Sequence, residues 1–125
     1  MKTKIKDFLF ICFLFSSGAS FANDMKIENL PQNKIYDNWL ISRCIGEFTD
    51  SESTRQDAFR SASAYLEFSQ LPIEAFDSSE VLIHQYLQKK SSGSVPGSYN
   101  TLACLSLPTS EQAKNIFKKY AVISE

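Results

Sequence analysis

An all-α fold, a compact single-domain bundle of about four to five helices with one disulfide, is predicted by three observations. Apolar residues recur at three- and four-residue spacings in segment after segment, the signature of helices with one buried face. No alternation of apolar and polar residues persists beyond a few positions, so strands are not expected. Two cysteines remain once an N-terminal leader is set aside, and an isolated pair in an oxidising compartment reads as one bond.

The leader comes first. Lys2, Lys4 and Lys6 precede the apolar run Phe8 to Phe15, and small residues follow, ending in Ser20-Phe21-Ala22. That order is a secretory signal peptide over residues 1–22, with the mature chain at 23–125. The apolar run is too short for a stable membrane-crossing helix, which argues against an anchor. Cys12 sits inside the run behind Ile11, whereas a lipidated cysteine would follow a small residue at its end. The expected location is the periplasm.

Cleavage leaves 103 of the 125 residues, enough for one core. It removes three lysines and one aspartate, leaving ten basic and thirteen acidic residues and a net charge of −3. A nucleic-acid partner would need a basic patch, so none is expected. No later segment is apolar enough to span a membrane, so no membrane association is expected after cleavage. The pair left by cleavage, Cys44 and Cys104, is expected to be bonded, two buried thiols being the alternative.

The first helix is expected from Asn33, which can cap it, with Tyr36, Leu40, Cys44 and Phe48 on one face and Trp39 beside them. Gly46 is a weak point near its end. After a polar break, a second helix is expected at about 53–69, with Ala58, Ala62, Tyr65 and Leu66 sharing a face. Its Ser61-Ala62-Ser63-Ala64 block is thin enough to let another backbone approach. Pro72 to Phe76 reads as a short turn of helix or loop. Asp77 and Glu80 then suggest a capping-box start for a third helix reaching about Lys90, with Val81, Leu82, Ile83, Tyr86 and Leu87 inward. Tyr99 to Leu107 is a short apolar segment carrying Cys104 and stopped by Pro108. Thr109 with Gln112 suggests a last helix to about Tyr120, with Ala113, Ile116, Phe117 and Tyr120 inward and Lys114, Lys118 and Lys119 outward.

Catalytic chemistry is hard to assemble from this inventory. His84 is the one histidine; it falls on the polar side of its helix, where a surface role is expected. With both mature cysteines bonded, no thiol nucleophile remains. Ser61 and Ser63 have no flanking glycine elbow and no nearby His. The carboxylates fall mostly at helix starts and polar faces. No enzyme activity, cofactor or metal is expected, and a binding protein is the better account.

The ordered set Tyr36-Asp37-Asn38-Trp39, Cys44, Asp57, Ser61-Ala62-Ser63-Ala64, Leu66-Glu67, Tyr86-Leu87, Leu102, Cys104-Leu105 and Lys119-Tyr120 resembles the periplasmic immunity proteins of type VI secretion amidase effectors. The resemblance covers most of residues 35 to 121. It implies an all-helical, disulfide-bonded homodimer that binds and inhibits a peptidoglycan amidase effector, protecting the producer and its kin. Such effectors resemble papain-type enzymes with a Cys-His site and cut the γ-D-glutamyl to diaminopimelate bond. Between about 89 and 101 the chain departs from the family, whose members carry a longer, more charged segment there. Alternatives are an inhibitor or adaptor of another envelope protein, and a small periplasmic hydrolase.

The segment Gln88 to Tyr99, with four serines, two glycines and a proline, cannot be helical. Composition alone favours a solvated connector; the resemblance implies instead that Ser91, Ser92, Gly93, Ser94, Val95, Pro96 and Gly97 form a protruding loop that binds the partner by entering the amidase cleft.

Overall fold

Helix α1 (Gln32–Phe48) is the central element: α2 (Glu52–Glu67), α3 (Ile73–Gln88) and α4 (Asn100–Ser106) all pack on it, and α5 (Glu111–Ala121) lies against α3. Short 3-10 turns at Ile27–Asn29 and Leu107–Thr109 precede α1 and α5. The computed structural model describes residues 26–89 and 91–122; the leader and its cleavage point lie outside them. No strand occurs among the described residues, as the sequence predicts.

The core follows from the α1 pattern. Tyr36, Leu40 and Cys44 lie one turn apart and are fully buried, with Ile35 and Trp39 beside them. Facing them are Ala75, Phe76, Leu82 and Ile83 of α3, then Ala103, Cys104, Leu107 and Ala113. Each large aliphatic or aromatic side chain removed from water contributes about 1.5–3 kcal/mol. Phe76 meets the edge of Trp39 with ring centroids 4.7 Å apart, and Phe117 packs on Tyr36 at 5.7 Å. Cys44 and Cys104 are joined, pinning the seven-residue α4 to α1 with Cα atoms 5.5 Å apart.

Ser79 is the one buried polar side chain among the described residues. Its hydroxyl donates to the Ala75 carbonyl at 2.6 Å, so its single proton is used and Tyr36 must be the donor in their 2.8 Å contact. Burial pushes the Tyr36 phenol up to about 12, and donating to Ser79 favours the same protonated form. The donor therefore stays protonated at any physiological pH.

Several helix ends differ from expectation. Pro31, not Asn33, stands at the N-cap of α1, and Asn33 lies exposed within the first turn. Proline there needs no donor of its own. Gln32 instead spans to the α2–α3 turn, donating to the Phe68 carbonyl and accepting from the Gln70 amide. Ser51 caps α2 through the Thr54 amide. Of the two readings of Pro72 to Phe76, helix is the one observed, and it is continuous with α3, which begins at Ile73 and puts Ala75, Phe76 and Ser79 on the buried face. Asp77 is merely exposed on its outer side. Val81, expected inward, is 58% exposed; three consecutive apolar residues sweep too much of the helical wheel for all to face inward. Ser110 rather than Thr109 caps α5 by accepting from the Ala113 amide. Pro108 does end α4, turning the chain into a 3-10 turn.

Gly46 is not a weak point but a contact. The Phe59 ring of α2 lies against its Cα, where any added Cβ would collide with it. Ala58 and Ala62 are buried in the same seam. Ser61 and Ser63 donate to their own helix's Asp57 and Phe59 carbonyls. Arg43 places its guanidinium over the Phe59 ring, 4.4 Å from the centroid, and donates to Glu80 on α3 at 2.6 Å, joining three helices.

Candidate functional site: the loop between α3 and α4

The residues named from sequence as partner-binding form the connection from α3 to α4. Ser91 is half-buried, and Ser92, Gly93, Ser94, Val95, Pro96 and Gly97 are all exposed. Val95 is 68% exposed. Both feet of the loop are anchored. On the α3 side, Lys89 ends the helix, places its ammonium 4.7 Å from the Tyr86 ring centroid and accepts the Ser91 amide through its carbonyl. On the other, α4 starts at Asn100 and is bonded to α1 four residues later through Cys104.

The loop has a defined shape, with no helix of its own. Tyr99 folds back beneath it: the phenol donates to the Val95 carbonyl, and Gly93 sits against the ring. A methyl placed on Gly93 would lie 2.6 Å from the Tyr99 hydroxyl oxygen. Gly97 has φ of +150°, which side-chain-bearing residues rarely adopt. Beneath the loop lies a cavity of about 430 Å³ bordered by Leu87, Lys89, Ser92, Gly97 and Tyr99. Tyr99 was read from sequence only as the start of an apolar segment. Its link to Val95 spans four residues and has no periodic signal.

Two other groupings emerge only in three dimensions. Glu47 of α1 and Glu80 and His84 of α3 bring potential ligand atoms within 4.8 Å of one another. The sequence suggested no neighbours for His84. Arg43 already bonds both carboxylates, so the guanidinium supplies the positive charge that holds this cluster. Between α1 and α5 lies an open groove of about 510 Å³, with Tyr36, Asp37 and Phe117 among its lining residues and Lys34, Lys114 and Lys118 around it. Burial raises the Asp37 carboxyl above its ordinary value although Lys34 lies 3.5 Å away. Neither grouping combines a nucleophile with a base in the manner of a hydrolase.

The described residues thus define a small all-helical domain, stapled by one disulfide, that displays a shaped loop between α3 and α4. The sequence profile of the type VI secretion system amidase immunity proteins, Tai4, matches residues 34–117, and the chain belongs to that family. Its fold is similar to a chain of the solved complex of the Salmonella typhimurium effector Tae4 with the Enterobacter cloacae immunity protein Tai4. There the identity is 38%, with a TM-score of 0.69, over 72% of this chain and 93% of that one. The Enterobacter cloacae Tae4–Tai4 complex matches with the same identity and TM-score, over 92% of that chain. A structure from a study of type VI-secreted toxins and self-resistance proteins in Serratia marcescens matches at 26% identity and a TM-score of 0.67, over 75% of this chain and 77% of that one. No curated protein sequence matches significantly.

Proposed function

We propose that the chain is exported, loses residues 1–22, and in the periplasm binds a Tae4-type amidase effector, blocking it with the loop at residues 91–97. It would do so without catalysis of its own. The observation that carries this reading is the pairing of family membership with an exposed, shaped loop whose feet are fixed by the α3 end and by the Cys44–Cys104 bond. Recognition commonly sits on loops held by a rigid scaffold. The small residues at 91–94 suit a narrow groove and offer hydroxyl and backbone donors.

Partner range follows from the relatives. Enterobacter cloacae Tai4 is found in complex with its own Tae4 and with that of Salmonella typhimurium, so acceptance of more than one effector is proposed here too. No described helix is long and apolar enough to cross a membrane, in keeping with release from the leader. We also propose a homodimer. Phe59 is packed on Gly46 and Arg43. The exposed apolar residues Leu66, Phe68 and Ile73 are the better two-fold surface. Sedimentation should show two chains per particle at micromolar concentration, and a monomer there would remove this part.

The test of function is co-expression. A Tae4 effector directed to the periplasm should lyse cells, and this chain with its leader should prevent lysis. Lysis at full rate despite normal levels of exported chain would overturn the proposal.

A further inference from the structure

We infer that Tyr99 is a positioning residue that holds the 91–97 loop in its binding shape, and that Val95 is the apolar anchor it presents to the partner. This rests on the reading above that the loop meets the effector. Three features converge on Tyr99. Its phenol donates to the backbone carbonyl of Val95. Its ring fills the space that the missing side chain of Gly93 leaves. Gly97, in a backbone conformation suited to glycine, lets the chain turn back toward it.

The consequence falls on Val95. With its carbonyl bonded to Tyr99, its side chain is left 68% exposed between Ser94 and Pro96. In such a polar loop an isolated branched apolar residue has no packing role at home. Among the loop's serines, glycines and single proline it is the side chain that gains most from burial in a partner's apolar pocket. Free loops lose much of their contact energy to ordering on binding, and a shape fixed beforehand cuts that cost. Holding the loop from inside, through a side chain in its own base, leaves its outer face free for contact.

The clamp is tested first in the free protein. Tyr99→Phe should leave circular dichroism and melting temperature unchanged but speed hydrogen exchange of the amides at 92–98. Unchanged exchange would overturn the clamp whatever the partner. Binding is then measured against purified Enterobacter cloacae and Salmonella typhimurium Tae4. Val95→Ser should weaken binding about tenfold or more, mainly through faster dissociation. Tyr99→Phe should weaken it by about three- to tenfold, the worth of one hydrogen bond. Gly93→Ala, which displaces the ring by another route, should act like Tyr99→Phe.

Because Tyr99 acts through the loop, its effect should largely vanish when Val95 is already Ser. Additive losses, or a Val95→Ser variant that binds like the parent, would overturn the assignment. Shortening residues 92–96 to a two-residue turn separates the two levels. If the shortened chain loses binding while the point variants do not, the clamp and anchor are wrong and the loop reading stands. If it binds at full strength, the loop reading falls and takes this inference with it.

Discussion

Two glycines in this protein lie under aromatic rings, and the comparison separates its two halves. Gly46 is buried in α1 beneath Phe59 of α2, at a seam closed further by Ala58, Ala62 and the Arg43 guanidinium. Gly93 is exposed and lies against the Tyr99 ring, within one loop. The first contact joins distant segments and is bounded by packed side chains, so there is little room for relief. The second joins residues six apart, and a tyrosine at a loop base can swing into solvent. The same local geometry therefore serves stability in one region and shape in the other. A rigid frame tolerates a loop with almost no core of its own, because the loop needs only to be held at its feet and at one point within.

The sharpest way to break that contrast is to cut the link between frame and loop. Replacing Cys44 and Cys104 by Ser opens a bond between residues 60 apart in sequence and should lower unfolding free energy by about 4 kcal/mol in the chain-entropy account. Urea titration measures it. A change within error would mean that packing of α4 on α1 and α3 suffices without the bond.

Alkaline titration probes the frame alone. The Tyr36 phenol is raised from 10.0 to about 12 by burial, so the folded state holds a proton that the unfolded state has released between those values. Its contribution is fully present below about pH 10 and is lost as pH rises toward 12, by about 1.4 kcal/mol per unit. Tyr36→Phe should remove that part of the alkaline fall, and parallel stability curves for the two proteins would contradict it.

The two glycines give the smaller effects, in order. Gly46→Ala gains helix propensity but forces Phe59 out of the seam; a net loss of about 1–3 kcal/mol is expected from overpacking. Gly93→Ala should change stability by less than about 0.5 kcal/mol, as for other surface positions. Equal losses at the two sites, read from thermal unfolding, would erase the distinction between frame and loop.

Much of the frame was legible in the sequence because it obeys helical periodicity. Tyr36, Leu40 and Cys44 announced the buried face of α1, and the cysteine count announced the bond to α4. Helix starts were less legible. A capping-box pattern at Asp77 and Glu80 outweighed Ala75 and Phe76 in the reading of α3, since local hydrogen-bond signals do not reveal which residues the core requires. Intrinsic propensity alone marks Gly46 as a weak point, because Phe59 meets it only after α2 folds back. The loop's position could be read from its serines, glycines and proline. Its internal order could not, because a tyrosine bonding a carbonyl four residues earlier leaves no repeating mark.

The central claim is that the loop, not a helix face, blocks the amidase. Its most direct measurement is residual peptidoglycan hydrolysis by a Tae4 effector titrated with the intact chain and with the chain whose residues 92–96 are shortened to a two-residue turn, both first shown to keep helical dichroism and the Cys44–Cys104 bond. Stoichiometric inhibition by the intact chain and none by the shortened one are expected. Equal inhibition by both would contradict it and move the inhibitory surface onto the helices.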